Sequence, residues 1–154
     1  MISISLFLGG YTDNLPKRTK VSETGFRRMF TNAPTKAYDT PKAKLGCWSP
    51  ALFERGATRS NDAVQFLSCI VYDFDVLPGD GWEQLTLACK TAGYAYAVHT
   101  TWGHHPHSPR LRLLFPLENP VPAKSYQGLW DGVRRKLGFA GNLSPDLQAK
   151  DLAR

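Results

Sequence analysis

Gln-Phe-Leu-Ser-Cys-Ile-Val-Tyr-Asp-Phe-Asp-Val, residues 65–76, is the most strand-like stretch of the chain and decides how the rest is read. It is rich in β-branched and aromatic residues and is closed by Leu77-Pro78-Gly79-Asp80-Gly81, a turn signal. With a side-chain period of two, Ile70, Tyr72, Phe74 and Val76 take one face, and Cys69, Val71, Asp73 and Asp75 take the other. Two carboxylates at i and i+2 therefore point the same way, about 7 Å apart along the strand, close enough to share divalent cations. An ionised carboxylate in an apolar run is costly unless a cation or hydrogen bonds compensate it. A solvated pair at a strand end is the plain alternative.

The neighbouring segments supply the rest of a helix-backed sheet. After the Pro-Gly turn, Asp80 suits an N-cap, Trp82, Leu85, Ala88, Cys89 and Ala92 recur at helical spacing, and Gly93 suits the C-terminus. Tyr94–Thr101 and Arg110–Phe115 read as two further strands. A second helix follows, with Pro122 suited to its first turn, an apolar stripe of Tyr126, Leu129, Trp130, Val133 and Leu137, and Gly138 at its end. Strand, helix, strand, strand, helix is compatible with half of a ferredoxin-like or RRM-like α+β unit, a helix-backed sheet whose other face is open. Ile2–Leu8, ending at Gly9-Gly10, reads as a scaffold strand of an additional N-terminal unit.

Arg110 and Arg112 are also two apart, so they share one face while Leu111, Leu113 and Phe115 take the other. If both strands belong to one sheet, two guanidiniums and two carboxylates can line one open face. Carboxylates that hold Mg²⁺ or Mn²⁺ and cations that neutralise phosphate oxygens are what a metal-bound triphosphate requires. Cross-strand Asp/Arg salt bridges would use the same residues without catalysis. All four histidines, His99, His104, His105 and His107, fall within nine positions, and none is spaced i, i+4, so a structural zinc site has little support.

The 154 residues suit one globular domain, and 42% hydrophobic with 21% charged residues is the composition of a packed protein. The formal net charge of +6 points to an anionic partner. Its distribution is uneven: ten Lys/Arg against four acids in residues 1–60, one against five in 61–109, and eight against four in 110–154. Between Lys17 and Lys44, basic residues that include Arg27, Arg28, Lys36 and Lys42 alternate with Phe26, Phe30 and Tyr38. That pattern suits a surface tracking a nucleic-acid backbone, as it also suits a solvated face. Three widely spaced cysteines without a CxxC suggest neither a disulfide framework nor a thiolate zinc site. No signal peptide or membrane span is evident, and a cytoplasmic setting is expected.

Taken together, Tyr72-Asp73-Phe74-Asp75, Tyr96-Ala97-Val98-His99-Thr100-Thr101-Trp102-Gly103-His104, Pro109-Arg110-Leu111-Arg112-Leu113-Leu114-Phe115-Pro116-Leu117 and Asn119-Pro120-Val121 resemble a primase-polymerase domain of the archaeo-eukaryotic primase superfamily. The resemblance is to versions in replication proteins of phages, plasmids and other mobile elements. It extends upstream to Trp48-Ser49-Pro50-Ala51 and Gly56-Ala57-Thr58-Arg59-Ser60-Asn61, and downstream to Asp146, Ala149-Lys150-Asp151 and Arg154. It covers roughly residues 45–154 and rests on the order and spacing of short motifs.

The resemblance implies an RRM-like catalytic sheet and DNA-templated nucleotidyl transfer from NTPs or dNTPs with two Mg²⁺ or Mn²⁺ ions. Asp73 and Asp75 match the first-motif metal ligands, Asp146 the third-motif acid, and His104 the second-motif histidine that contacts the incoming nucleotide. Arg110 and Arg112 match basic strand positions suited to the triphosphate. Arg27, Arg28 and Arg59 are candidates for single-stranded DNA template contact. The chain departs from the family pattern at Trp102-Gly103, where a small hydroxyl residue is usual. The reading places 1–60 as a basic N-terminal unit and 61–154 as the catalytic unit of a single, monomeric domain. That domain is expected to be either trimmed, with a helicase or accessory module as its companion in the full protein, or a compact stand-alone version, acting in a bacterial host or phage-infected cell.

Three other readings use the same residues. A rolling-circle nuclease would take His105 and His107 as metal ligands and Tyr126 as nucleophile, although Pro106 between the histidines is a poor match. A phosphatase would take its nucleophile from Asp73-Phe74-Asp75, but that motif normally lies near the N-terminus. A single-stranded nucleic-acid binding module would use the open sheet face, and would then carry two acids on a phosphate-binding surface.

Overall fold

The computed structural model describes residues 1–10, 12–31, 46–101 and 103–153. Lys36, Tyr38, Lys42, Lys44, Trp102 and Arg154 lie outside the described residues. The fold mixes helices with largely antiparallel strands: β1 (Ile2–Phe7), β2 (Lys17–Val21), α1 (Glu23–Thr31), β3 (Cys47–Ser49), β4 (Ala51–Phe53), β5 (Val64–Phe74), α2 (Gly81–Ala92), β6 (Ala97–Thr100), β7 (Leu111–Pro122) and α3 (Ala123–Lys136). They form a three-stranded sheet of order β2-β1-β3 and a four-stranded sheet of order β4-β5-β7-β6. The chain groups into two compact units, one of Met1–Ser68, Leu117–Ala123 and Asp151–Arg154, the other of Cys69–Pro116 and Lys124–Lys150. The long strands β5 and β7 each contribute to both.

In the first unit β1 pairs antiparallel with β2, from Ile2↔Val21 to Leu6↔Lys17, and with β3, from Ser5↔Ser49 to Phe7↔Cys47. Ile4 and Phe7 are buried, and the buried Ser5 hydroxyl donates to the Ala51 carbonyl. The polar stretch after Pro16 turns out to be ordered from Lys17 through Thr31. Lys17–Val21 gains its ladder from β1, and the Ser22 hydroxyl accepts the Gly25 N–H, which caps α1. Phe26 and Phe30, interleaved with the basic residues that suit a nucleic-acid-tracking surface, pack their rings edge-on against Trp48, and Phe26 is buried. They pack inward because a nine-residue helix this polar is held mainly by its few apolar side chains.

The second unit is built around the stretch at 65–76. Tyr72 and Phe74 are buried and meet Phe139 edge-on, and Tyr72 also packs on Trp130 and Phe115. The stripe on α3 is core as expected, with Tyr126, Trp130 and Leu137 buried. Val71 and Asp73 share one side of β5, and their backbone groups there bond to side chains and a loop rather than to a strand. The Val71 N–H donates to the Tyr126 hydroxyl, the Trp130 indole donates to the Val71 carbonyl, and the Asp146 N–H donates to the Asp73 carbonyl. Burying these backbone groups without such partners would cost about 1–3 kcal/mol each.

Several boundaries move. β5 ends at Phe74, so Asp75 and Val76 lie beyond the strand, and Val76 is exposed rather than part of the Ile70 face. β6 is confined to Ala97–Thr100, while β7 runs on past Phe115 to Pro122, which therefore closes a strand rather than opening a helix. Trp82 is 48% exposed, so the buried face of α2 is Gly81, Leu85 and Cys89. Asp80 precedes α2 without a side-chain cap bond and instead accepts from the Gln84 amide, whereas Gly93 closes the helix in the left-handed conformation at φ +69°.

Candidate active site

Asp73 is the last polar residue inside β5, and its carboxylate is held by a residue of the adjacent strand. Arg112 on β7 donates from Nε to Oδ1 at 2.6 Å and from Nη2 to Oδ2 at 2.7 Å. This is the bidentate geometry in which a guanidinium matches a carboxylate best. The Asp73 side chain is 14% exposed and the Arg112 side chain 31%, so the pair is partly withdrawn from water. One step outward, Arg110 Nη1 lies 3.5 Å from Asp75 Oδ1, with both side chains well exposed. The i, i+2 spacing on both segments thus produces two parallel Asp–Arg pairs, one tight and one loose.

A third strand extends the row. In the β6–β7 register His99 stands directly opposite Arg112, followed by Thr100↔Leu111, and the ladder continues as the Thr101 N–H donates to the Arg110 carbonyl. Directly opposed residues in an antiparallel pair share a face, so Asp73, Arg112 and His99 line up across β5, β7 and β6. Burial holds the His99 imidazole below its ordinary pKa of 6.5, and the Arg112 charge adds to this, against the opposing effects of its Thr100 carbonyl contact and of Asp73. Sequence reasoning placed His99 on a strand but gave it no role. Its partner depends on the hairpin register, which is set by the folding of the loop between the strands.

That loop is a tight extension of the hairpin. His105 and Ser108 form an isolated antiparallel bridge with Pro106 and His107 at the exposed tip. His104 accepts the Arg110 N–H on Nδ1 at 3.3 Å. An accepting Nδ1 means the neutral ring carries its proton on Nε2, leaving that N–H as the donor of the ring. Gly103 lies under the Arg110 side chain: a Cβ there would sit 3.1 Å from Arg110 Cδ and 3.3 Å from Nε and Nη1. The absence of a side chain at Gly103 thus leaves the space in which Arg110 lies.

Asp146 reaches the site through its backbone. Its N–H bonds the Asp73 carbonyl at 2.7 Å, while its carboxylate accepts the Gln148 N–H at the start of the short 3-10 turn Leu147–Lys150. Asp73, Asp75 and Asp146 are therefore neighbours, and three carboxylates are the hard oxygen donors that Mg²⁺ or Mn²⁺ prefers. Their donor chemistry fits such an ion. Among the described residues, however, no three His, Cys, Asp or Glu side chains converge at ligand distance, and the Asp73 and Asp75 carboxylates face the arginines.

The other candidates fall elsewhere. Arg27 pairs with Glu23 one helical turn away on α1, and Arg28 is exposed on the same helix. Arg59 donates to the Ala153 carbonyl and stacks its guanidinium on the Phe7 ring at 4.8 Å, which ties three segments of the first unit together. Tyr126 is only 1% exposed, its hydroxyl accepts the Val71 N–H, and burial raises its pKa, so it is not placed as the nucleophile of a rolling-circle nuclease. Burial likewise pushes the Cys89 thiol up to about 11. No helix among the described residues is long and apolar enough to cross a membrane.

A similar fold occurs in a solved structure, the AEP domain of the cyanophage S-2L primase-polymerase. The two superpose with a TM-score of 0.52 at 11% identity, over 99% of this chain and 70% of that one. The fold is therefore that of a primase-polymerase domain. Residues 16–143 match the VapE N-terminal domain, and the chain belongs to that family. The match includes both Asp–Arg pairs and the histidine hairpin, and ends three residues before Asp146. No curated protein matches the chain.

Proposed function

We propose that this domain is a primase-polymerase catalytic unit that transfers nucleotides from nucleoside triphosphates on a single-stranded DNA template, in the replication of a phage, plasmid or other mobile element. The observation that carries the reading is the double Asp–Arg arrangement, one pair on the adjacent strands β5 and β7 and one just beyond their ends, on a fold shared with a primase-polymerase domain. The order β5, α2, β6, β7, α3, with β7 between β5 and β6, supports an RRM-like catalytic sheet.

In this reading Asp73, Asp75 and Asp146 hold Mg²⁺ or Mn²⁺. Such ions, when bound, lower the pKa of an attacking hydroxyl and offset charge on a leaving pyrophosphate. Arg110 and Arg112 bind the triphosphate: both guanidiniums already face carboxylate oxygens, and Arg112, which donates two hydrogen bonds to Asp73, can donate to phosphate oxygens in the same forked manner. His104 donates from Nε2 to a phosphate oxygen, held in that tautomer by the Arg110 N–H on Nδ1. Asp146 fixes the end of β5 through its own N–H, which keeps the Asp73 carboxylate at the rim of the sheet. Exposed cations of the first unit, among them Lys17, Lys20, Arg27 and Arg28, supply charge for the template backbone.

A second reading draws on the same ion pairs. Asp73 and Asp75 neutralised by Arg112 and Arg110 also suit a metal-independent module for single-stranded nucleic acid. Incubation with a single-stranded template, labelled nucleotides and Mg²⁺ or Mn²⁺ separates the two. Template- and metal-dependent product supports the enzyme; metal-independent binding with no product supports the module.

A further inference from the structure

We propose that Arg112 couples cation binding to triphosphate binding by exchanging partners: it holds the Asp73 carboxylate until a triphosphate takes its guanidinium, and only then is Asp73 available to a divalent cation. The inference rests on the primase-polymerase reading and deepens it. Both Asp73 oxygens are engaged by the same guanidinium, at 2.6 and 2.7 Å, in a pair that is mostly withdrawn from solvent. A divalent cation added to that carboxylate would sit against a fixed positive charge in a poorly screened setting, and the two cations repel. The backbone at Asp73 cannot move aside to relieve this, because its carbonyl is bonded to the Asp146 N–H and the preceding Val71 is held by Tyr126 and Trp130. The adjustable element is the Arg112 side chain.

A triphosphate offers Arg112 what Asp73 offers it, two oxygens at matching spacing, with more negative charge. Arg110 differs: it is exposed and only 3.5 Å from Asp75, a contact loose enough to yield without exchange. Asp73 is thus the carboxylate whose availability depends on nucleotide. Coupling of this kind is reciprocal, so each ligand promotes the other by the same factor.

The test uses Mn²⁺ alone, titrated by electron paramagnetic resonance into the wild-type chain, Arg112→Gln, Arg112→Lys and Asp73→Asn, with melting curves to confirm folding. Arg112→Gln is expected to bind Mn²⁺ about ten-fold more tightly than wild type in the absence of nucleotide, and the gain should vanish when Asp73→Asn is added. Arg112→Lys, which keeps the charge but loses the fork, should fall between them. In EDTA, Asp73→Asn should bind a fluorescent triphosphate more tightly than wild type, since Arg112 is then relieved of its carboxylate. Equal or weaker Mn²⁺ binding in Arg112→Gln, with Asp73-dependent Mn²⁺ binding and nucleotide incorporation both present in wild type, overturns the exchange alone. Absence of Asp73-dependent Mn²⁺ binding and of incorporation in every variant overturns the primase-polymerase reading, and the exchange with it.

Discussion

Arg112 meets Asp73 side-on, as a fork around both oxygens of one carboxylate, while the neighbouring Arg110 and Asp75 touch at a single 3.5 Å contact. The two pairs occupy equivalent positions in the sequence pattern but differ in burial, and that difference makes them separable by mutation. Asp73→Asn leaves the guanidinium of Arg112 half-buried without its counter-charge. Breaking a partly buried pair from one side should cost about 1–3 kcal/mol, below the fully buried case. Asp75→Asn removes an exposed contact and should change stability by no more than about 0.5 kcal/mol. Urea denaturation of the two variants checks the contrast, and both should lose nucleotide incorporation.

Tyr126 provides a test of architecture against chemistry. Tyr126→Phe removes the acceptor for a buried Val71 N–H and should destabilise the chain by about 1–2 kcal/mol. Incorporation by the folded protein should be retained, because the phenol is structural. A covalent DNA adduct at Tyr126, sought by mass spectrometry of the intact protein, would contradict this.

His99 gives a pH signature. Its folded-state pKa lies below 6.5 because burial, aided by Arg112, disfavours the imidazolium. The unfolded chain therefore takes up the proton first, and this contribution to stability is complete above about 6.5 and lost as pH falls from there through the folded value. Thermal melts between about pH 7.5 and 5 should show a decline in wild type that His99→Gln blunts. An identical pH dependence in the two proteins would refute the assignment.

Gly103 should act on nucleotide affinity with little effect on folding. A Cβ at this position meets the flexible Arg110 side chain rather than backbone, so Gly103→Val displaces the guanidinium at small cost in stability. The expected result is a several-fold rise in the nucleotide KM and a melting temperature within a few degrees of wild type. A large fall in melting temperature with unchanged KM would show that Gly103 serves the hairpin instead.

How far the sequence reveals this arrangement depends on the range of the interactions involved. The strand at 65–76, the helix ending at Gly93 and the stripe on α3 are written in local periodicity and turn chemistry, and the structure has them within a few residues. The order of Asp73, Asp75, Arg110 and Arg112 was legible for the same reason, as two i, i+2 pairs. What local pattern does not encode is pairing across the sheet. The His99–Arg112 register, the reach of Asp146 to the Asp73 carbonyl and the burial of Phe26 against Trp48 are all tertiary. β2 and α1 escaped notice because polar residues with few apolar anchors carry little periodic signal; a partner strand and the Ser22 cap define them.

The proposed function stands or falls on metal-dependent nucleotidyl transfer by the carboxylates at the end of β5. Its most direct test measures incorporation of labelled nucleotides on a single-stranded DNA template with Mn²⁺, comparing wild type with the folded Asp73→Ala/Asp75→Ala double variant. Wild type should give product and the variant none above background, with template binding retained. Equal incorporation by the two proteins would contradict it.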